Sequence, residues 1–334
     1  MRVAINGFGR IGRCFFRAAH ARKVSFEIVG LNDLGSLENL AYLLKYDTVY
    51  GRFGGKVEVK DGRLIVDGST ITFVQEKDPA KLPWKDLKVD IVVESTGFFT
   101  DPQKAQAHID AGAKRVVISA PAKGEGAETI LIGANEDRFA ACTITSNASC
   151  TTNAASPLIG ILNEAIGIEK ALLGTAHGYT ASQSLVDAPN AKDWKEGRAA
   201  AQNIIPTSSG AAIATTLAYP SLKGKFDGFA FRVPVLAGYI VDVTFIAKKS
   251  TSVEEVNAAL KVAAATDRWK RVFAVTEEPL VSSDIIGQPY GAIADLALTR
   301  VIDGNLVKVV AWYDNEMGYS YTLVEHVLQA GKAL

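Results

Sequence analysis

The fold is decided near the N-terminus, by the stretch Arg2-Val3-Ala4-Ile5-Asn6-Gly7-Phe8-Gly9-Arg10-Ile11-Gly12. Residues 2–6 have the pattern of a short buried strand, and a G-x-G-x-x-G pattern follows them directly. Residues 11–21 are compatible with a helix that carries apolar side chains on one face. A strand, a glycine-rich turn and a helix in this order are typical of a unit that binds a dinucleotide.

Each glycine of this turn has a physical role in such a unit. Gly7 permits the tight turn, Gly9 lets a pyrophosphate approach the backbone, and Gly12 lets the helix pack close to the strand. The helix N-terminus then faces the phosphates. A second strand pattern, residues 26–31, leads to Asp33, whose carboxylate would accept hydrogen bonds from an adenosine ribose diol and repel a 2′-phosphate. We therefore expect NAD rather than NADP; the alternative for Asp33 is a solvated acid at a strand end.

The first half of the chain continues as alternating strand and helix patterns. The strand patterns cover Ile71–Val74, Asp90–Glu94, Arg115–Ser119 and Ile130–Ala134. The helix patterns cover Leu37–Lys45 and Asp101–Ala111. This alternation predicts a largely parallel, doubly wound α/β sheet, in which a ligand lies beyond the carboxyl ends of the strands. Thr96-Gly97 and Ser119-Ala120 follow two of those ends, so they are either candidates to line the ligand site or plain turn residues.

Composition excludes several classes of protein. The chain has 334 residues, enough for one to three domains, and equal numbers of basic and acidic side chains, 36 each. Net charge therefore gives no reason to expect a nucleic-acid or membrane partner. No apolar run approaches the roughly 20 residues of a membrane span, and the N-terminus has a strand pattern rather than that of a signal peptide. Three scattered cysteines suit neither a disulfide framework nor a zinc site, so we expect a reducing cytoplasm and no bound metal.

A second motif, Ser149-Cys150-Thr151-Thr152-Asn153, lies between a strand pattern at residues 143–145 and an alanine-rich helix pattern at residues 154–166. The motif therefore places Cys150 near a helix N-terminus. The unpaired N–H groups there carry partial positive charge, which favours the nucleophilic thiolate over the thiol. The alternative is a buried structural cysteine beside a helix cap.

The second half has more strands and fewer helices. Its strand patterns cover Leu172–Ala176, Phe229–Pro234, Tyr239–Ala247 and Leu306–Trp312. Its helix patterns cover Ala211–Ala218, Val253–Ala265 and Tyr319–Ala330. Residues 181–206 show no clear period and are expected to form a long loop, which in a compact domain is usually functional. The whole pattern predicts an α+β domain with a mixed sheet.

Only one of the four histidines stands outside a helix pattern. His20, His108 and His326 are interpreted as structural, whereas His177 follows a strand beside small and polar residues. His177 is either a structural histidine or the partner of Cys150 in a thiolate–imidazolium pair. A cysteine beside a nicotinamide can attack an aldehyde; the hemithioacetal then loses a hydride to NAD and becomes a thioester, with His177 as the general base.

The thioester needs an acceptor, and several residues could bind an anion such as phosphate. Arg232 offers a charge, and Thr180 and Thr207-Ser208-Ser209-Gly210 offer hydroxyl and N–H groups. The alternatives are an ordinary ion pair for Arg232 and a helix cap for the Ser/Thr cluster.

Taken together, these motifs resemble the phosphorylating glyceraldehyde-3-phosphate dehydrogenase family along nearly the whole chain. The resemblance rests on residues 4–13, 44–48, 146–153, 203–206, 232–234 and 312–316. It implies an NAD-binding α/β Rossmann domain, residues 1–149, onto which a C-terminal helix at 316–334 packs back. It also implies a catalytic domain at residues 150–315 and a cytoplasmic homotetramer that acts in glycolysis.

The resemblance also implies roles for individual residues. Cys150 matches the nucleophile, and His177 matches the base that raises its thiolate character. The positions that match NAD contacts are Arg10, Ile11, Asp33, Lys77, Ser119 and Asn315, beside the glycines Gly7, Gly9 and Gly12. The positions that match phosphate binding are Ser149, Thr151, Thr180, Ser209, Gly210 and Arg232. Inorganic phosphate would cleave the thioester to give 1,3-bisphosphoglycerate.

A few positions depart from the family pattern without removing the nucleophile, the base or Arg232. The departures are Ala154 for a common second cysteine, Ser209 for Thr, Ile213 for Lys, Val235 for Thr and Met317 for Trp. Lys195, Glu196 and Arg198 stand where many bacterial members have two adjacent arginines that contact phosphate. The alternative functions are an erythrose-4-phosphate dehydrogenase, which hydrolyses its thioester, and a catalytically silent NAD- or RNA-binding relative.

Overall fold

The computed structural model describes residues 1–334 and divides into two compact units. One unit comprises Met1–Ser149 together with Ser320–Leu334, and the other comprises Cys150–Tyr319. None of the helices is long and apolar enough to cross a membrane.

The first unit is built on a nine-stranded sheet. Its strands and helices are β1 (Arg2–Asn6), α1 (Arg10–Arg22), β2 (Glu27–Asn32), α2 (Leu37–Lys45), β3 (Tyr46–Asp47), β4 (Gly51–Arg52), β5 (Val57–Lys60), β6 (Arg63–Val66), β7 (Ser69–Val74), β8 (Ile91–Glu94), α3 (Pro102–Asp110), β9 (Arg115–Ile118), β10 (Glu128–Thr129) and β11 (Ile144–Ser146). The sheet order is β10-β11-β9-β8-β1-β2-β7-β6-β5, parallel from β10 to β7, while β3 and β4 form a separate ribbon.

The topology of this sheet positions a ligand site. β1 lies between β2 and β8, so the chain continues to one side after β1 and later returns to the other side. In a doubly wound sheet, the crevice at such a switch point lies beyond the carboxyl ends of the strands. The loops that follow β1, β2 and β8 meet there. This arrangement confirms the predicted α/β fold of the first half.

The core of the sheet forms because its central strands are apolar throughout. All four residues of β8 and all four of β9 are buried, as expected for parallel strands covered by helices on both faces. His108 on α3 is fully buried, accepts a hydrogen bond from the indole N–H of Trp84 at Nδ1, and lies 3.1 Å from Glu94 through Nε2. Its contacts are those of a structural histidine.

One predicted strand is wrong. Residues 130–134 form no strand; the strand at this edge is the two-residue β10, just before them. Ile130 donates one backbone hydrogen bond to Ser146, and the chain then turns through Gly133, whose φ is +85°. The three apolar residues Ile130, Leu131 and Ile132 are buried as a turn packed into the core, which a short apolar run does not distinguish from a strand.

The second unit carries an eight-stranded mixed sheet. Its elements are α4 (Cys150–Ala165), β12 (Ile168–Gly178), β13 (Ile205–Ser208), α5 (Ala211–Ala218), β14 (Phe226–Val233), β15 (Tyr239–Ala247), α6 (Val253–Ala264), β16 (Phe273–Thr276), β17 (Ala292–Asp295), β18 (Arg300–Ile302) and β19 (Leu306–Tyr313). The order is β13-β14-β12-β15-β19-β17-β16, with β18 beside β19. β12 pairs with β14 in parallel and with β15 antiparallel, which confirms the predicted mixed sheet.

The helix that begins at Cys150 is the packing centre of this unit. Twelve residues of α4 are buried, and the helix packs on β12, β15, β17 and β19. β15 alternates strictly between buried and half-buried residues, so one face of the sheet meets the helix and the other does not. The predicted loop at residues 181–206 is mostly irregular, with a 3-10 turn at Trp194–Gly197, and its last two residues begin β13.

The last helix, α7 (Met317–Gly331), starts in the second unit and continues into the first. Within the first unit, His326 of this helix is fully buried. Its Nε2 lies 2.7 Å from the hydroxyl of Thr145 on β11, and its Nδ1 lies 3.2 Å from the side-chain oxygen of Asn147. Residues 320–334 are therefore anchored to the end of β11 by a buried polar contact.

Candidate active site

The strand-to-helix junction predicted for Cys150 is present. Cys150 is the first residue of α4, and Ala148, two residues before it, has a φ of +53° that turns the chain out of β11. The Sγ atom of Cys150 lies 3.8 Å from Nε2 of His177, at the end of β12. The structure therefore brings the candidate nucleophile and the candidate base together, although they are 27 positions apart.

The ring of His177 is held from three sides. Its Nδ1 lies 2.7 Å from the carbonyl oxygen of Gly178 and 2.7 Å from Nη1 of Arg232. It also contacts the ring of Tyr239, with centroids 4.2 Å apart and the ring planes tilted by 47°. Arg232 reaches the ring because β12 and β14 are paired in parallel with His177 opposite Arg232.

Burial opposes the charged form of each member of this pair. Burial and, to a smaller extent, the Arg232 cation lower the pKa of His177 from 6.5 to about 3. Cys150 keeps some exposed surface, but the packed protein around the sulfur raises the pKa of the thiol, while Thr151 and the Arg232 charge oppose that effect. Burial of both groups thus favours a neutral thiol beside a neutral imidazole, and the Arg232 cation further opposes an imidazolium.

A buried tyrosine, which the sequence did not single out, connects the two reacting elements. The Tyr313 hydroxyl on β19 lies 3.0 Å from Oγ1 of Thr151 and 2.9 Å from Oγ1 of Thr175. Thr175 donates its own proton to the Ile240 carbonyl at 2.8 Å, so it accepts from Tyr313. Burial raises the pKa of Tyr313, which therefore keeps the proton that it donates. The chain of hydroxyls links the first turn of α4 to the strand of His177.

The anion-binding candidates are placed differently from one another. Arg232 contacts His177 directly, whereas Thr151 is buried and its hydroxyl is used by Tyr313. The hydroxyl of Thr180 contacts Ser182, and that of Ser209 accepts from the Ala211 backbone at 3.3 Å. Ser149 is half-buried just before α4, and Gly210 is exposed at the start of α5. Of the predicted phosphate residues, Arg232 contacts His177, and Oγ1 of Thr151 lies 4.0 Å from the sulfur of Cys150.

The long loop supplies a carboxylate for Arg232. Oε1 of Glu196 lies 3.7 Å from Nη2 of Arg232 and accepts a hydrogen bond from Thr207 at 3.1 Å. Lys195 is exposed, and Arg198 is exposed and paired with Asp187. Of Lys195, Glu196 and Arg198, only Glu196 therefore lies beside Arg232.

In the first unit, the glycine turn has the geometry that its motif predicts. Gly7 has a φ of +92°, and a Cβ there would lie 2.6 Å from the backbone nitrogen of Thr96. A Cβ on Gly12 would overlap the carbonyl oxygen of Gly7, so the helix could not approach the strand. Gly9 has nothing within 4 Å of the place of a Cβ, and no side chain caps α1. The turn thus leaves open space beside uncapped N–H groups.

The charged residues near this turn are already engaged. The Asp33 carboxylate accepts from the backbone N–H of Phe8 at 2.7 Å and of Gly35 at 2.8 Å. A carboxylate has about four acceptor positions, so two remain for a diol. Arg10 forms a bidentate ion pair with Asp47, which is almost completely buried.

The other predicted cofactor residues lie in both units. Ile11 is half-buried in the first turn of α1, Lys77 is exposed after β7, and Ser119 follows β9 and donates its N–H to Glu94. Asn315 belongs to the second unit, just after β19. Its side-chain oxygen is buried and has no hydrogen-bond partner. It is a buried acceptor that a ligand amide could satisfy.

Comparison with known proteins gives one consistent family. Residues 1–102 match the family model described as glyceraldehyde 3-phosphate dehydrogenase, NAD binding domain, and residues 149–315 match the C-terminal domain of the same enzyme. The chain is 50% identical to glyceraldehyde-3-phosphate dehydrogenase 1 of Streptomyces avermitilis, across 100% of this chain and 99% of that protein. The enzymes of Mycolicibacterium smegmatis (50% identical, 100% and 99% covered) and Chlamydia muridarum (48% identical, 97% of each covered) are similarly close.

Proposed function

Since the chain belongs to the glyceraldehyde-3-phosphate dehydrogenase family, we propose that it oxidises D-glyceraldehyde 3-phosphate to 1,3-bisphosphoglycerate with NAD and inorganic phosphate. Its place is then glycolysis or gluconeogenesis. The observation that carries the proposal is the contact of 3.8 Å between the sulfur of Cys150 and Nε2 of His177 at the N-terminus of α4.

Cys150 acts as the nucleophile and His177 as the base. The sulfur attacks the aldehyde carbon, and its proton passes to the new hydroxyl group through Nε2 of His177. NAD, when bound, supplies the hydride acceptor. As the hydride leaves carbon, Nε2 takes the hydroxyl proton and the carbon becomes that of a thioester on Cys150. A phosphate oxygen then attacks that carbon, and Cys150 leaves as a thiolate that takes a proton from His177.

The residues of this chain fit NAD. The open space at Gly9 and the uncapped start of α1 suit a pyrophosphate. Asp33 keeps acceptor positions for a ribose diol, and its charge opposes a 2′-phosphate. The buried side-chain oxygen of Asn315, which has no hydrogen-bond partner, suits the amide of a nicotinamide. We assign the cofactor to Gly7, Gly9, Arg10, Ile11, Gly12, Asp33, Lys77, Ser119 and Asn315, and residues 1–149 with the C-terminal helix to the NAD-binding domain.

We assign phosphate binding to Arg232, the cation beside His177. Arg232 has a buried Nε that makes no hydrogen bond, so its guanidinium has an unused donor. Ser149, Thr151, Thr180, Ser209 and Gly210 complete the proposed substrate residues of the catalytic domain, residues 150–315.

The uncovered face of the eight-stranded sheet supports assembly into a homotetramer. Leu172 is 66% exposed, Phe229 51% and Phe231 39%. Phe229 and Phe231 lie opposite Gly174 and Ala176 in register, so their side chains share the face that α4 leaves open. Apolar side chains on one face of a sheet are typical of a surface that a second copy covers. Sedimentation is expected to give the mass of four chains.

The state of the cysteines supports a cytoplasmic location. Cys14, Cys142 and Cys150 form no disulfide, as expected where the surroundings are reducing.

The proposed function is tested by the rate of NADH formation from glyceraldehyde 3-phosphate while phosphate is titrated. We expect steady turnover to require phosphate, and glyceraldehyde 3-phosphate to be preferred over erythrose 4-phosphate. Turnover that does not depend on phosphate, or a preference for erythrose 4-phosphate, would contradict the proposal and favour the hydrolytic relative.

A further inference from the structure

A buried carboxylate lies beside the glycine turn of the first unit. Glu94 ends β8, and its side chain is 1% exposed. Its Oε2 atom accepts from the side-chain amide of Asn6 at 2.5 Å and from Nε2 of His108 at 3.1 Å. Its Oε1 atom accepts from the backbone N–H of Thr96 at 2.8 Å and from the Thr96 hydroxyl at 2.5 Å. A carboxylate has about four acceptor positions, so all of those on Glu94 are used.

Trp84 determines what His108 offers to this carboxylate. The indole N–H is only a donor, so at 3.0 Å it requires a lone pair on Nδ1 of His108. The single proton of the neutral ring then lies on Nε2 and faces Glu94. His108 therefore supplies a hydrogen bond and no positive charge, and the buried carboxylate is stabilised by the number of its hydrogen bonds.

The turn after β8 depends on these hydrogen bonds. Phe98 is 80% exposed, so the turn has little packing of its own. The Thr96 hydroxyl donates to Glu94 and accepts from the backbone N–H of Phe98 at 3.0 Å. A Cβ on Gly7 would lie 2.6 Å from the backbone nitrogen of Thr96, so the turn lies against the glycine turn. Glu94 thus holds one wall of the space beside the glycines.

The same carboxylate reaches the loops after β2 and β7. Asn6, one of its four donors, accepts from the side-chain amide of Asn32 at 2.7 Å. Asn32 in turn donates to the carbonyl oxygen of Glu76 and accepts from its backbone N–H, both at 2.9 Å. Asn32 directly precedes Asp33, and Glu76 directly precedes Lys77. The network therefore ends beside two of the residues that we assign to the cofactor.

We propose that Glu94 is a positioning residue of the cofactor site. Its hydrogen bonds hold the turn at residues 95–98 and, through Asn6 and Asn32, the loops after β2 and β7 in the arrangement that receives NAD. The cofactor then does not have to order these loops as it binds, and the free energy that ordering costs is not lost from the affinity. This inference rests on the proposed function for its ligand.

The direction of one effect separates positioning from charge. Glu94→Gln removes a buried negative charge near the glycine turn, and NAD carries a net negative charge, so electrostatics alone would strengthen binding. Gln has one oxygen and one NH₂ group, so it cannot accept on both sides of the side chain, and the donors on one side lose their acceptor. Positioning therefore predicts weaker binding, whereas charge predicts stronger binding.

Two measurements on the full chain test the inference, and neither needs turnover. Calorimetry gives the Kd for NAD, and hydrogen–deuterium exchange with mass spectrometry gives the opening of the peptide at residues 95–98 before NAD is added. Asp90→Asn is the matched control. Asp90 lies at the opposite end of β8, is 16% exposed, and accepts from the backbone N–H of Arg2 at 2.8 Å and from Lys114 at 2.7 Å.

In Glu94→Gln, we expect faster exchange at residues 95–98 and a Kd for NAD that is about ten-fold higher, as for a turn that is competent to bind about a tenth of the time. Thr96→Ala removes one hydroxyl at a half-buried position, so it should raise the Kd about five-fold and speed exchange. Thr96→Ser keeps the hydroxyl and should recover most of the lost protection. Asp90→Asn should lower the Tm and leave both the exchange and the Kd unchanged.

An unchanged or lower Kd in Glu94→Gln overturns the inference, as does slow exchange at residues 95–98 in that variant. If Glu94→Gln does not fold, the Thr96 variants decide, and equal exchange in Thr96→Ala and Thr96→Ser overturns the inference. Equally weakened NAD binding in Asp90→Asn also overturns it, because the effect would then be one of general stability. A chain that shows the expected affinities but forms no NADH from glyceraldehyde 3-phosphate counts against the proposed function alone.

Discussion

The hydroxyl of Tyr313 can be removed without changing the shape of the ring, so Tyr313→Phe tests whether the hydroxyl chain holds the nucleophile and the base together. Tyr313 is 1% exposed and makes hydrogen bonds of 3.0 Å to Thr151 and 2.9 Å to Thr175. Each buried hydrogen bond contributes about 1 kcal/mol net, and the Thr151 hydroxyl loses its acceptor inside the protein. We expect the free energy of unfolding to fall by about 2 kcal/mol, which corresponds to about 4–8 °C in Tm for a unit of this size.

Tyr239→Phe provides the matched control. Tyr239 is also 1% exposed in the same unit, but its hydroxyl makes a single long hydrogen bond of 3.3 Å to Leu236. Differential scanning calorimetry should therefore show a clearly smaller decrease in Tm for Tyr239→Phe. The rate of Cys150 alkylation by iodoacetamide should change only in Tyr313→Phe, because only that variant frees Thr151. Equal Tm values for the two variants, or an unchanged alkylation rate in Tyr313→Phe, would refute the reasoning.

Three further predictions concern the first unit. Asp33→Asn removes the charge that opposes a 2′-phosphate, so the ratio of kcat/KM for NAD over NADP should fall by about ten-fold or more in steady-state assays; an unchanged ratio would show that another group reads the ribose. Gly12→Ala forces a Cβ onto the Gly7 carbonyl, so chemical denaturation should show a free energy of unfolding lower by about 2 kcal/mol. Gly9→Ala has open space around the new Cβ, so it should keep its stability but bind NAD more weakly in calorimetry. Equal stabilities of the two variants would contradict the packing argument. Burial lowers the pKa of His326 from 6.5 to about 3, so the neutral ring contributes fully to the free energy of unfolding above pH 6.5, and this contribution is lost as the pH falls toward 3. Between pH 7.5 and 5, chemical denaturation should show a loss of about 2 kcal/mol. This loss should be absent in His326→Gln.

The fold could be predicted where glycines or the apolar pattern mark the ends of an element clearly. Glycines and apolar runs define β1, α1 and the Rossmann order, and α2, α5 and β15 begin and end at the predicted residues. The hairpins β5–β6 and β6–β7 were not predicted, because their strands are short and partly exposed. Their turns nevertheless carry the Asp-Gly signal: Asp61 and Gly62 have φ values of +51° and +69°, and Asp67 and Gly68 have +48° and +83°.

The candidate site could be predicted for residues whose chemistry shows in local sequence. Cys150 stands at a helix start and His177 at a strand end, and both features are local. The role of Tyr313 is not local, since its partner Thr151 is 162 positions away. The lowered pKa of His177 could not be predicted either, because it depends on burial of the ring and on Arg232 lying beside it through strand pairing.

The central claim is that Cys150 carries the acyl group during oxidation. The most direct test mixes the chain with NAD and glyceraldehyde 3-phosphate without phosphate, quenches in acid, and measures the mass of the peptide that contains Cys150. We predict a phosphoglyceryl thioester on that peptide, lost on addition of phosphate, absent from Cys150→Ser and retained in Cys142→Ser. NADH formation with no adduct on Cys150, or with an adduct on another residue, would contradict the account.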